Sequence, residues 1–158
     1  MTTAESTTGA RVESADRVSV RDTTLPGSFV DGAWWPRSSD LTVELPPLLR
    51  RLSAASTADV RVAYHLGTWK RGPRKFFLGQ RMIRLGGFVH QDPLVLSLSG
   101  AVGNRRLDLL VVDPTTPPDV ARRALLLAGA PDCALGPSEI LARAVDEAAK
   151  DRPVNAAG

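Results

Sequence analysis

Seven positively charged residues in the stretch from Val60 to Gln91, with no acidic residue among them, indicate a segment suited to binding an anion. Trp69, Phe76 and Phe77 lie between these charges. Arginine and lysine pair with phosphates and aromatic rings stack on bases, so the combination is typical of single-strand nucleic-acid binding. The seven cations are Arg61, Lys70, Arg71, Arg74, Lys75, Arg81 and Arg84.

The same basic stretch is compatible with two further roles. On a half-buried hairpin, outward arginines keep an exposed strand soluble while Phe76 or Phe77 enters the core. A basic strip also suits an acidic partner protein, because charge steers and orients the encounter. We predict a binding or regulatory role toward an acidic protein or an anionic ligand, with binding of single-stranded RNA as the alternative.

Two adjacent tryptophans, Trp34 and Trp35, form a second candidate region in "DGAWWPRSSDL". Successive residues of an extended chain face opposite sides, so we expect one indole in the core and the other along the surface. Packing is the favoured role, because large aromatic residues are usually mostly buried. Tryptophan and arginine are also enriched at binding hot spots, which makes the outward indole, Arg37 and Asp31 a candidate recognition surface.

A shared groove would join the tryptophan segment to the basic stretch. The residues that must converge on it are Trp35, Arg37, Trp69 and Arg84. If they lie apart, the combined surface loses its main support. The candidate binding residues are Asp31, Trp34, Trp35, Arg37, Trp69, Lys70, Arg71, Arg74, Lys75, Arg81 and Arg84.

Catalytic and metal-binding patterns are weak in this chain. His65, His90 and Cys133 lack the spacing of a zinc site and any link to a nucleophile with its base. We expect each histidine to be a hydrogen-bonded structural residue, and Cys133 to be a small apolar residue between two helices. We therefore predict no catalytic residue, no metal and no cofactor. A small-ligand protein or enzyme with a composite site is the remaining alternative.

Length and composition favour one domain, because 158 residues leave little room for two independent cores. We predict a tail at residues 1–15, a single α+β domain at 16–150 and a second tail at 151–158, since both ends lack apolar periodicity. The single cysteine excludes an internal disulfide. No window of about 18 apolar residues could span a membrane, so we predict a cytoplasmic location and leave the oligomeric state open.

Alternating apolar residues predict the strands. "RVSVRD" suits an edge strand before a turn at Leu25-Pro26-Gly27, and "VRVAYHL" places Val60, Val62 and Tyr64 on one face. "KFFLGQRMIRL" predicts a hairpin that turns at Gly79. "LVLSLS" and "RRLDLLVV" form a further pair joined through "GAVGN". Sequential hairpins predict an antiparallel meander.

Helical spacing appears in three places. Leucines lie on one stripe of "SDLTVELPPLLRRLSAA", with Ser39 or Asp40 as the N-cap, although Pro46 and Pro47 predict a kink or a start at Pro46. Thr116 and Asp119 suggest a capping box for the second helix, which ends at Gly129, and "PSEILARAVDEAAK" is the third. The predicted fold is α+β in two layers: a meander of about five to six strands packed against two to three helices.

Three segments resemble a family of small actinobacterial domains of unknown function. They are "DGAWWPRSSDL", "VAYHLGTWKRGPRKFFLGQRMIRLGGF" and "LDLLVVDPTTPP", and the resemblance covers residues 17–128. In such proteins a Trp-Trp-Pro-Arg-Ser segment precedes a helix and Arg-Leu-Gly-Gly-Phe follows a hairpin. Asp113 stands where the resemblance leads us to expect a second proline, a difference that affects a turn. The resemblance implies no particular activity.

Overall fold

The computed structural model of the protein describes residues 17–21, 28–53, 58–102 and 105–151, which form seven strands and three helices. The strands are β1 (Val18–Val20), β2 (Gly32–Trp34), β3 (Val60–His65), β4 (Lys75–Leu78), β5 (Arg81–Phe88), β6 (Val95–Val102) and β7 (Arg105–Val111). The helices are α1 (Leu41–Ser53), α2 (Pro118–Ala128) and α3 (Pro137–Asp151).

Several predicted features fall outside the described residues. These are the tail at 1–15, residues 152–158 of the second tail, the turn at Leu25-Pro26-Gly27 and the last two residues of the "GAVGN" turn, Gly103 and Asn104. Asp151, which the sequence assigns to the second tail, is the last residue of α3.

One mixed sheet contains all seven described strands, in the order β1-β2-β7-β6-β3-β5-β4. The pairs β2–β7 and β3–β5 are parallel, and the other neighbours are antiparallel. The α+β class is confirmed, but the purely antiparallel meander of five to six strands is wrong. A meander requires each strand to lie beside its successor, whereas β3 inserts between β5 and β6, and the short strand β2 adds to the far side of β7.

The two predicted hairpins and the edge strand are confirmed. β4 pairs with β5 through a turn at Gly79, where φ is +62° and favours glycine. β6 pairs with β7, and β1 lies at one edge of the sheet. β1 approaches β2 closely because Gly32 has no side chain: a Cβ atom there would overlap the Ser19 carbonyl oxygen.

The first face of the sheet carries an apolar core that α1 covers. Val60, Val62 and Tyr64 all point into it, as the alternation predicts. The contribution of α1 is the predicted leucine stripe, Leu41, Leu45, Leu48 and Leu49.

The helix α1 begins at Leu41 and includes both Pro46 and Pro47, so the predicted start at Pro46 is wrong. Asp40 is the residue before the helix, and its Oδ1 accepts a hydrogen bond of 3.0 Å from the Thr42 backbone N–H. Burial of the leucine stripe stabilises the helix in spite of the two backbone donors that the prolines lack.

A second core lies on the opposite face of the sheet, under α2 and α3. Ala33, Leu110 and Val112 point into it and meet Ala124 of α2 and Ile140 of α3. Helices therefore lie on both faces of β2 and β7, and the two-layer prediction is wrong for this part of the molecule.

The predicted capping box of α2 is also wrong. The helix begins after Pro117, and no side-chain hydrogen bond caps it. Gly129 closes the helix as predicted, and its backbone N–H donates to carbonyl groups of the last turn.

Candidate functional site

Half of the second sheet face carries no helix among the described residues. We call this half the open face: it comprises the outward residues of β4, β5, β3 and β6, together with the first residues of β7. Since outward side chains alternate along each strand, the pairing registers specify which of them are neighbours. They are Lys75, Phe77, Met82, Arg84, Gly86, Phe88, Arg61, Ala63, His65, Ser97, Ser99, Arg106 and Asp108.

A row of cations crosses the open face at right angles to the strands. The registers align five residues of five adjacent strands: Arg106, Ser99, Arg61, Arg84 and Lys75. Neighbouring strands lie about 4.8 Å apart, so the row spans roughly 19 Å. We call this alignment the basic row.

Three members of the basic row are free to meet a ligand. The side chains of Arg61, Arg84 and Lys75 are exposed and make no hydrogen bond or ion pair with any part of the chain that the structure describes. Arg106 differs, because its Nε lies 3.2 Å from Asp108 Oδ1. Adjacent unpaired cations repel one another, and an anion placed over them would relieve that repulsion.

Small residues form a depression beside the basic row. Ser97, Ala63 and Gly86 are aligned on β6, β3 and β5, and a cavity of about 470 Å³ lies over them. Ser97 Oγ donates to Asp108 Oδ1 at 2.6 Å and accepts from Arg106 at 3.3 Å. The floor is therefore shallow and polar, and its hydroxyl group is already oriented.

Two exposed phenylalanines stand on opposite sides of the basic row. Phe77 pairs in register with Met82, two residues before Arg84 on β5, whereas Phe88 follows Arg84 by four residues. Their side chains are 64% and 54% exposed. The Phe88 ring leans over Gly86, where a Cβ atom would lie 3.1 Å from Phe88 Cε2. Aromatic surface thus flanks the positive charge.

All three tryptophans are buried, so the expectation that one of the adjacent indoles lies along the surface is wrong. Trp34 enters the first core and stacks on Trp69, with ring centroids 5.5 Å apart. Trp35 enters the second core, and the Arg17 guanidinium lies 4.1 Å from its ring centroid. The reason is that β2 has a helix on each face, so residues that point in opposite directions both reach a core.

Two other predicted binding residues are buried and bonded to the backbone. Asp31 Oδ2 accepts from the Asp108 N–H at 2.9 Å, and its Oδ1 lies 3.4 Å from Arg105. Arg81 is 5% exposed and donates from Nε to the Ala58 carbonyl at 2.9 Å. Both side chains stabilise connections between strands, so neither is available to a partner.

The predicted groove between the tryptophan segment and the hairpin is not formed. Trp35 and Arg37 line a cavity beside α1, Trp69 lines a second cavity and Arg84 lines the open face. The remaining predicted residues, Lys70, Arg71 and Arg74, are exposed in the connection between β3 and β4. Of the predicted site, Arg84 and Lys75 alone belong to the basic row.

Several open-face residues were missing from the predicted site, namely Arg61, Arg106, Ser99, Phe77 and Phe88. Alternation along "VRVAYH" places Arg61 on the other face of the strand from Val60 and Val62, so its outward position could be predicted from the sequence. The residues beside Arg61 could not be predicted, because they depend on the insertion of β3 between β5 and β6.

The histidines and the cysteine lie apart from one another. His65 Nδ1 is 3.0 Å from Thr68 Oγ1, His90 is exposed, and Cys133 is buried in the second core. In the described ranges, no cluster of three or more His, Cys, Asp or Glu residues could hold a metal ion. No helix there has the length and apolar character that crossing a membrane requires.

Two carboxylates have shifted acidities, and neither lies on the open face. The hydrogen bond from the Thr42 side chain holds the pKa of Asp40 below its ordinary value, and the Thr42 backbone N–H adds to the effect. The side chain and the backbone N–H of Thr115 lower the pKa of Asp113 in the same way.

Comparison with known proteins identifies one family. The profile of DUF5994, a family of unknown function, matches residues 17–128. No curated protein and no solved structure matches the chain. The match covers all seven strands, α1 and α2, and therefore every residue of the basic row.

Proposed function

Since the chain belongs to DUF5994, whose function is unknown, we propose from its own surface that it is a binding domain whose open face holds a polyanionic ligand. The observation that carries this proposal is the basic row. Arg61, Arg84 and Lys75 occupy aligned positions on three adjacent strands, and no described acidic side chain neutralises them.

The position of the row argues against strand solubility as its purpose. Charged residues commonly protect an edge strand from pairing with another chain. Such protection suits Lys75 on the edge strand β4, but β3 and β5 each have neighbours on both sides. Arg61 and Arg84 therefore repel each other in the interior of the sheet, where no strand edge needs protection.

The depression beside the row adds a place for the ligand. Its volume of about 470 Å³ is large enough for several ligand groups, and its lining includes both hydroxyl and guanidinium groups. Guanidinium groups bind phosphates and carboxylates with two parallel hydrogen bonds. A cytoplasmic location, which the sequence predicts, would expose this face to acidic proteins and to nucleic acids alike.

Calorimetric titration of the protein with short-chain inorganic polyphosphate tests the proposal. Binding should weaken as salt rises from about 50 mM to about 200 mM, because association releases counterions. The double variant Arg61→Gln and Arg84→Gln should bind about tenfold or more weakly. The control variant, Arg50→Gln and Arg143→Gln, removes the same number of exposed charges from α1 and α3. Equal binding by both variants would overturn the proposal.

A further inference from the structure

Resting on the proposed polyanion site, we infer that the ligand is single-stranded RNA that crosses the strands of the open face. Its phosphates follow the basic row, and two of its bases stack on Phe77 and Phe88. The inference goes beyond charge, because it assigns the exposed rings and a serine hydroxyl to the same ligand.

The basic row has the shape of a backbone track. It contains Arg106, Arg61, Arg84 and Lys75 in a line of roughly 19 Å, set by the spacing of about 4.8 Å between strands. A flexible polymer with regularly repeated negative charge can lie along such a line. A single strand of nucleic acid has this property. The nucleotides that extend beyond the sheet add little free-energy cost to binding.

The exposed rings distinguish nucleic acid from other polyanions. Phe77 and Phe88 flank the row on its two sides, and both present more than half of their surface to solvent. Every base has a face that stacks on an aromatic ring, whereas polyphosphate and glutamate side chains have none. Bases that project from a backbone on the row would reach a ring on either side.

A duplex fits this arrangement less well than a single strand. In a double helix the bases are stacked inside and cannot cover Phe77 or Phe88. Proteins that read single-stranded RNA on a sheet use exposed aromatic residues of neighbouring strands in this manner. Phe77 lies on β4 and Phe88 on the adjacent strand β5.

The serine in the row favours RNA over DNA. Ser99 is exposed and aligned between Arg106 and Arg61, so its hydroxyl lies beside the track that the sugars would follow. The ribose 2′-hydroxyl both donates and accepts hydrogen bonds, which gives a serine a partner that deoxyribose lacks.

Fluorescence anisotropy with a labelled oligouridine of about 12 nucleotides tests the inference on the full chain. Four neutralised phosphates predict a slope of log affinity against log salt of about −3, and Arg84→Gln should reduce its magnitude by about 0.7. Phe88→Ala and Phe77→Ala should each weaken RNA binding about tenfold and leave polyphosphate binding unchanged. Phe29→Ala is the matched control, because Phe29 is 61% exposed and lies near Gly136, away from the open face.

Different results would overturn different parts of the proposal. If polyphosphate binds but the Phe77 and Phe88 variants hold RNA as tightly as Phe29→Ala, the site takes polyanions and the RNA inference is wrong. The same conclusion follows if a duplex, polyglutamate or the matching DNA strand binds as tightly as the RNA. If neither RNA nor polyphosphate binds at low salt, the proposed function itself fails. Circular dichroism of each variant shows whether the fold is retained.

Discussion

The two halves of the second sheet face differ in their outward side chains, and this difference explains why described helices cover one half and not the other. On β2 and at the end of β7, the outward residues are apolar and two helices cover them, as at Ala33 and Leu110. On β3 and β5, the outward residues include small and charged side chains, such as Ala63, Arg61 and Arg84, and no described helix covers them. The outward residues thus decide where helices dock, while the backbone of the sheet continues unchanged.

The border between the halves runs through a single strand. Along β7, Arg106 and Asp108 belong to the open face, and Leu110 lies under the helices. Alternate residues of one strand therefore pass from the open face to the core within about 7 Å, the distance by which two residues advance a strand. This proximity makes the comparison testable by single substitutions.

The largest effect is expected in the covered half, for Leu110→Ala. Leu110 is fully buried, so its truncation leaves a cavity and should lower the free energy of unfolding by about 3 kcal/mol. Urea denaturation measures the change. Ser99→Ala is the open-face control and should change stability by less than about 0.5 kcal/mol. Equal losses for the two variants would break the distinction between the halves.

The junction of β1 and β2 should be nearly as sensitive. Gly32→Ala brings a methyl group against the Ser19 carbonyl, so the backbone must shift, and we expect a loss of about 2 kcal/mol in thermal denaturation. Gly72→Ala serves as the control, because the closest atom to its added Cβ is Thr42 Cγ2 at 3.9 Å. A harmless Gly32→Ala would show that β1 contributes little to the fold.

On the open face, stability and binding should change in opposite directions. Arg61→Glu places a carboxylate beside Arg84 and replaces repulsion with attraction, which should stabilise the fold by about 0.5 kcal/mol. The same variant should lose polyphosphate binding, because the row is interrupted at its centre. Urea denaturation measures the stability of the variant, and calorimetric titration measures its affinity for polyphosphate. A destabilised Arg61→Glu protein would indicate that Arg61 has a structural role.

Asp108, the acidic residue beside Arg106 of the basic row, should slightly lower the affinity for polyanions. Asp108→Asn removes a negative charge from the side of Arg106 and retains an oxygen acceptor for Ser97. We expect polyanion affinity to rise about threefold, the size of an exposed ion pair. Calorimetry at low salt provides the measurement. Weaker binding would mean that Asp108 positions Arg106 more than it competes with the ligand.

The smallest effect is expected for the stability of α1, the helix over the first face, at acidic pH. Hydrogen bonds from Thr42 lower the folded-state pKa of Asp40 below the ordinary value of about 3.9. The stabilisation of the fold by ionised Asp40 is therefore complete above the unfolded-state pKa, and it is lost as pH falls through the lower folded-state pKa. Thr42→Val should raise the pKa of Asp40 in an NMR titration. An unchanged pKa would show that the Thr42 hydroxyl does not stabilise the carboxylate.

The sequence was sufficient for features that depend on local patterns. Alternation identified β3 and both hairpins, and the leucine stripe identified α1. The two parallel pairs were not predictable, because they join strands that are distant in the chain and leave no mark in either segment. The same limit affected the site: Arg84 and Lys75 belong to one hairpin, whereas Arg61 and Arg106 reach the row through long-range pairing.

The tryptophan error has a related cause. An outward-facing Trp35 is expected if a strand has one covered face, which is the usual condition in a two-layer fold. The second cover over β2 comes from α2, which begins about 80 residues later in the chain. Local sequence around Trp35 contains no sign of it.

The parallel pairing of β2 with β7 also affects the order of folding. Gly32 aligns with Leu109, so during synthesis β2 must wait for most of the chain before its central partner exists. Until then it can pair with β1 alone, and two short strands are marginally stable by themselves. Pairing across so long a loop is slow, so the apolar side chains of β2 stay exposed for longer during folding than those of a local hairpin.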